Sequence, residues 1–200
     1  MIAQTLETQR GIRVRVLGGG PPEAEPVIFL HGLAGLLDDT SFLDLLAERY
    51  QVFAPELPGF GETRGEELLE DMLDFALHGW DVVEALGLDG RRPSLVGHSM
   101  GGMIAAEMAC LAPAAIGGLV LVDPFGLWLD ESPIPDIFAL LPYEFGEYLF
   151  HQPQRAATLL AGATDVADAD SLRLADAGHM LPYEQPRALA DAVLGFLAHE

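Results

Sequence analysis

The chain has 200 residues, half of them hydrophobic, and a net charge of −21. That length and hydrophobic content fit one domain with a real core and exclude wholesale disorder. All ten basic residues are arginine, and the acidic excess repels nucleic acid phosphate and anionic membranes, so neither is an expected partner.

Strand and helix signals alternate along the chain, which predicts an α/β fold: a mostly parallel sheet with helices on both faces. Met1 to Arg10 is polar and mixed and lacks a basic-then-apolar leader. No apolar run is long enough to span a bilayer, so a soluble, cytoplasmic protein is expected. Ile12 to Leu17 alternates as a strand does, and Gly18 to Pro22 reads as a loop. Val27 to Leu30 is a short apolar run of buried-strand type ending at His31-Gly32. Asp38 to Glu48 predicts a helix with Phe42, Leu45 and Leu46 on one face. Val52 to Ala54 begins a further strand, closed by Pro58-Gly59-Phe60-Gly61. Glu66 to Leu86 reads as one long helix, because Leu69, Met72, Leu73, Ala76, Trp80, Val83 and Leu86 recur at three- and four-residue steps. Ser94 to Val96 is a strand and Met100 to Leu111 a helix. The single cysteine, Cys110, falls in that apolar helix and reads as a buried structural thiol. Leu119 to Val122 is a fourth apolar strand. Arg187 to Leu197 is the final helix, with Gln185-Pro186 suited to its first turn.

Gly97-His98-Ser99-Met100-Gly101 fits G-x-S-x-G between an apolar strand and an apolar helix. A turn this sharp strains the serine backbone and needs small residues two positions to either side. In return it projects the hydroxyl out of the sheet and points the next N–H, that of Met100, at a developing oxyanion. Ser99 is therefore the candidate nucleophile. The turn after His31-Gly32 is the place for a second oxyanion donor, and Leu33 is its backbone candidate. A general base must be neutral near pH 7 and reach the serine hydroxyl. His179, late in the chain within Asp176-Ala177-Gly178-His179-Met180-Leu181-Pro182, has that setting, whereas His151 and His199 do not. Metal chemistry has no support, since the histidines are scattered and no Cys-x₂-Cys spacing occurs. A phosphate-binding P-loop is excluded because the chain has no lysine. No cofactor is expected.

Taken together, these segments resemble the α/β-hydrolase superfamily, in its branch of serine esterases, C–C bond hydrolases and cofactor-free haloperoxidases. The matching pieces are Phe29-Leu30-His31-Gly32, Leu57-Pro58-Gly59-Phe60-Gly61, Val96 to Gly102, and Gly178 to Pro186. The resemblance implies Ser99 as nucleophile, His179 as base, and Leu33 and Met100 as oxyanion donors. Serine rather than aspartate at the elbow argues against epoxide hydrolysis and dehalogenation. The whole chain is then a single domain, with residues 124–162 as a reduced helical cap.

The chain is shorter than most such relatives, and the shortfall lies between Val122 and His179. Two carboxylates compete to complete the triad. If Thr158 to Ala161 is the penultimate strand, Asp165 ends it. Only Val166 to Asp170 would then lead to a last strand at Ser171 to Ala175, and a parallel crossover needs about a dozen residues. If Pro153 to Ala161 is instead a helix, the last strand, Leu172 to Ala175, pairs beside Leu119 to Val122. Asp123 then stands near His179. The second arrangement is preferred, which ranks Asp123 ahead of Asp165; a chain with no acid is the third outcome. Phe125 to Phe150 is dense in large apolar residues and predicts an apolar substrate moiety. His31, His98, Phe125, Trp128 and Phe138 are the candidate substrate contacts. The expected activity is cleavage of a small hydrophobic ester through an acyl-enzyme. C–C bond or lactone hydrolysis, or a binding protein weakened by loss of its acid strand, are the alternatives.

Overall fold

The centre of the molecule is the strand Pro26–Leu30 (β3), all of whose residues are buried. In this computed structural model the described residues are 1–88, 90–127, 130, 144–153 and 179–198. Around β3 lie Ile2–Glu7 (β1), Arg13–Gly19 (β2), Gln51–Pro55 (β4), Ser94–His98 (β5) and Leu119–Val122 (β6). They form one sheet in the order β1-β2-β4-β3-β5-β6. The strands β4, β3, β5 and β6 run parallel, while β2 joins β4 and β1 joins β2 antiparallel.

The helices are Ser41–Ala47 (α1), Met72–Ala85 (α2), Met100–Leu111 (α3), Phe145–Leu149 (α4), Leu181–Glu184 (α5) and Pro186–Leu197 (α6). Strand alternation sends side chains to two cores. Ile28 and Leu30 of β3 pack with Leu95 and with Ala76, Val82, Ile104 and Met108 of α2 and α3. Val27 and Phe29 face the other way, onto Phe42, Leu46, Leu189 and Val193 of α1 and α6. The expected mostly parallel sheet with helices on both faces is therefore the observed fold.

Several elements differ from the sequence expectation. The strand β1 was not anticipated, because it is a mostly exposed edge held by backbone pairing to β2 rather than by apolar alternation. The long helix expected over 66–86 is two elements. Gly65, at φ 110°, opens a single 3₁₀ turn over Glu66–Leu68, and Asp71 then restarts the chain as α2. The Asp71 side chain accepts the Asp74 N–H, and an N-cap of this kind marks a true helix start. Helix α1 begins at Ser41 rather than Asp38, since the Asp39 carboxylate accepts the Ser41 N–H in the preceding turn. Cys110 is exposed, not buried, because it lies on the outer face of α3. The residues proposed as a helix from Pro153 to Ala161 and as a strand at Leu172 to Ala175 lie, apart from Pro153, outside the described residues. So does most of the expected cap.

Among the described residues, no helix is long and apolar enough to cross a membrane.

Candidate active site

The parallel strands β3, β5 and β6 end on one side of the sheet, and the site is built from the loops that follow them. β5 delivers Ser99 directly into α3. Ser99 holds φ 56° and ψ −119°, a conformation that non-glycine residues adopt only under strain of about 1–3 kcal/mol. Its backbone is clamped on both sides: its N–H donates to the Val122 carbonyl at 2.9 Å, and its own carbonyl accepts from Phe125 N–H at 3.1 Å. Small residues make the turn possible. A Cβ on Gly101 would lie 2.2 Å from the Leu30 carbonyl oxygen, so no side chain fits there.

The loop after β3 closes over the elbow. A Cβ on Gly32 would sit 2.8 Å from Ser99 Cβ and 3.3 Å from Ser99 Oγ, in the space a reacting carbonyl must enter. His31 holds this loop from behind. Leu57 N–H donates to His31 Nε2 at 2.9 Å, so the ring proton sits on Nδ1 and donates to the Gly32 carbonyl at 2.7 Å. Burial holds the His31 pKa down at about 4, partly offset by that carbonyl, and the ring is neutral. The N–H groups of Leu33 and Met100, the two expected oxyanion donors, are engaged by no hydrogen bond among the described residues.

His179 meets the serine: its Nε2 lies 2.8 Å from Ser99 Oγ. Both side chains are buried. Burial, and then the neighbouring His98 ring, hold the His179 pKa well below the ordinary imidazole value. The ring stacks on Phe125, with centroids 5.9 Å apart and planes 14° from parallel. The turn that carries it is fixed by Met180 N–H donating to the Leu149 carbonyl at the end of α4.

The described residues place no acid against the base. Among the described residues, His179 Nδ1 is buried without a hydrogen-bond partner. Asp123 is half-buried at the end of β6, with φ 43°, and burial raises its pKa to about 6. No hydrogen bond joins it to His179. Val122 and Phe125, the neighbours on either side of Asp123 and Pro124, are both bonded to the Ser99 backbone, which sets the course of this loop. Asp165 lies outside the described residues.

Two of the expected substrate contacts make main-chain hydrogen bonds. His31 is buried with both ring nitrogens bonded to main-chain groups, and His98 is buried with its Nε2 against the His179 carbonyl. Phe125 does face His179, whereas Trp128 and Phe138 lie outside the described residues. One contributor was missed: Tyr183, buried, reaches the Gly35 carbonyl at 3.5 Å and joins α5 to the oxyanion loop. Nothing in a lone tyrosine after His179 signals that contact. No cluster of metal-ligating side chains occurs among the described residues.

Comparison with known proteins agrees with this architecture. A family model described as alpha/beta hydrolase fold matches residues 25–164. The dihydrolipoyllysine-residue acetyltransferase component of the acetoin cleaving system of Cupriavidus necator is 40% identical over 122 residues, covering 58% of this chain and 30% of that protein. A 2-hydroxy-6-oxo-6-(2'-aminophenyl)hexa-2,4-dienoic acid hydrolase from Metapseudomonas resinovorans is 30% identical over 139 residues, covering 68% of this chain and 46% of that hydrolase. The chain thus spans less than half the length of either curated relative. A thermophilic esterase from Thermogutta terrifontis has the same fold, with a TM-score of 0.75 at 20% identity, covering 100% of this chain and 99% of that one.

Proposed function

Because the chain belongs to the α/β hydrolase fold family, we propose that it is a serine hydrolase cleaving carboxylic esters of hydrophobic small molecules through an acyl-enzyme. The observation that carries this reading is the 2.8 Å contact between Ser99 Oγ and His179 Nε2 at a strained elbow. A neutral His179 takes the Ser99 proton on Nε2 as Oγ attacks the ester carbonyl carbon. The Leu33 and Met100 N–H groups stabilise the oxyanion. The tetrahedral species collapses, and the imidazolium returns its proton to the departing alkoxide. Water, deprotonated by the same nitrogen, then attacks the acyl carbon, and the imidazolium gives that proton to the departing Ser99 Oγ as the acid is released. An acid at Nδ1 fixes the tautomer this cycle needs, and Asp123 and Asp165 are the two carboxylates proposed for it.

Support for an apolar substrate comes from Phe125 against His179, from exposed Leu127 two residues on, and from the apolar run through Phe150. Trp128 and Phe138 are proposed to extend that lining. A panel of p-nitrophenyl esters tests the reading. Turnover of neutral medium-chain esters at least about tenfold above short charged esters, lost in Ser99→Ala, is expected. Comparable turnover of both classes refutes the apolar preference, and no turnover of any ester refutes the esterase reading. The likeness to a dienoic acid hydrolase favours C–C bond cleavage as the second reading. Turnover of vinylogous diketones in the absence of ester turnover would establish it.

A further inference from the structure

We infer that His98, the variable residue of the elbow, is a positioning residue that holds the base through its main chain. The inference rests on the proposed roles of Ser99 and His179. His98 ends β5, is buried, and places Nε2 at 2.6 Å from the backbone carbonyl oxygen of His179. A carbonyl only accepts, so Nε2 carries the proton and donates it. The ring is thereby assigned as the neutral Nε2–H tautomer, and burial, which lowers its pKa to about 4, keeps it so at neutral pH.

The consequence is geometric. His98 and Ser99 are adjacent in sequence, and both bond to the same distant residue. The His98 ring holds the carbonyl of His179, and the Ser99 hydroxyl meets its Nε2. Two hydrogen bonds and the intervening covalent bonds make a closed ring, which restricts both the backbone and the side chain of the base. The restriction matters because the usual orienting partner at His179 Nδ1 is missing among the described residues. Phe125 stacks on the imidazole, and Met180 is tied to Leu149, but neither contact is a direct hydrogen bond from β5 to the His179 backbone. His98 makes that link. Its ring is itself backed by the oxyanion loop, since a Cβ on Gly32 would lie 3.2 Å from His98 Nδ1. One imidazole therefore belongs to the elbow, bonds the base and lies beside the oxyanion loop.

The inference is tested with two variants and one spectrum. His98→Leu keeps the volume and removes the donor; His98→Gln retains an N–H near the same place. A misplaced base costs about a hundredfold in rate, so His98→Leu should lower kcat on a medium-chain p-nitrophenyl ester by roughly 30- to 100-fold, with KM changed less than about threefold. His98→Gln should recover to within about fivefold of the wild type. A Leu variant within about threefold of wild type, or a folded Gln variant as impaired as Leu, overturns the inference. Nitrogen-15 spectra of histidine-labelled wild type decide it even if the Leu variant fails to fold. The His98 signals, identified by their absence in His98→Gln, should show a proton on Nε2 alone from about pH 5 to about pH 9. A proton on Nδ1, or a charged ring, in that range overturns it. A wild type that turns over no ester refutes the hydrolase reading separately, and the spectrum then decides the tether by itself.

Discussion

The two halves of the site are held in opposite ways. Ser99 is fixed by its own neighbourhood: the strand before it, the helix after it, backbone hydrogen bonds on both sides, and neighbours too close for any side chain at Gly101. His179 belongs to neither a strand nor a helix. It is held by a bond from His98, a stack on Phe125, and the tie from Met180 to Leu149. The placement of Ser99 is thus a property of a short stretch of chain, while that of His179 is a property of the assembled fold. Damage should follow that division. Changes on the serine side should act through steric exclusion, and changes on the histidine side through loss of orientation.

The largest effect tests the histidine side. Of Asp123→Asn and Asp165→Asn, the variant that removes the acid should lower kcat by about 10⁴, because an amide favours the wrong imidazole tautomer. If both stay within about tenfold of wild type, no carboxylate orients His179, and its other contacts alone hold the base. The serine side is tested by Gly32→Ala. Its methyl group would enter the space beside Ser99 Oγ, so kcat/KM should fall by about 10² while Tm changes by only a few degrees. An alanine variant of normal activity would mean that the oxyanion loop has room to withdraw.

Acid titration compares both sides at once. His31, His78 and His98 are buried, and each has its pKa lowered to about 4, in every case chiefly by burial. Between pH 6.5 and about 4 the unfolded chain binds protons at these histidines that the folded chain refuses, so stability falls as pH drops through that window. Each fully buried ring contributes on the order of 3 kcal/mol to the loss. Asp123, with its pKa raised to about 6, acts in the opposite sense over part of the window, and it is one group against four, since the His179 pKa is lowered as well. Denaturant midpoints measured from pH 7 down to pH 4 should therefore decline steadily; a flat profile would contradict the buried neutral rings. With no partner at Nδ1, the lowered His179 pKa puts the acid limb of kcat/KM below pH 6.5. A limb at or above pH 7 would instead reveal a carboxylate engaged at Nδ1. The smallest effect is remote from both halves. Asp71→Ala removes the N-cap of α2 and should cost about 1 kcal/mol of stability with kcat unchanged.

The same division decided what could be read from residues alone. The boundaries of α3 and β6 follow from dense apolar runs, and the elbow follows from glycine spacing, because these constraints act over a few residues. The break at Leu69 to Asp71 was hidden, since Leu69 remains buried and preserves the helical spacing across it. The strand β1 was hidden for the reverse reason, having almost no buried side chains. His179 was singled out by its place near the end of the chain, together with its approach to Ser99, but its contacts with His98 and Phe125 were not. His98 looked like a substrate contact and is a buried donor to a carbonyl 81 residues away. Nothing local records that pairing. Asp123 was ranked first by strand order, and it makes no hydrogen bond to His179.

The proposed function requires that His179 activate Ser99 as a nucleophile. Labelling with a fluorophosphonate, followed by mass spectrometry of the modified peptide, tests it most directly. In the wild type the label should fall on Ser99 alone. It should vanish in Ser99→Ala, and in His179→Ala it should slow by about 10³-fold or more with the fold intact. A folded wild type that takes no label, or that labels as fast without His179, would contradict the account.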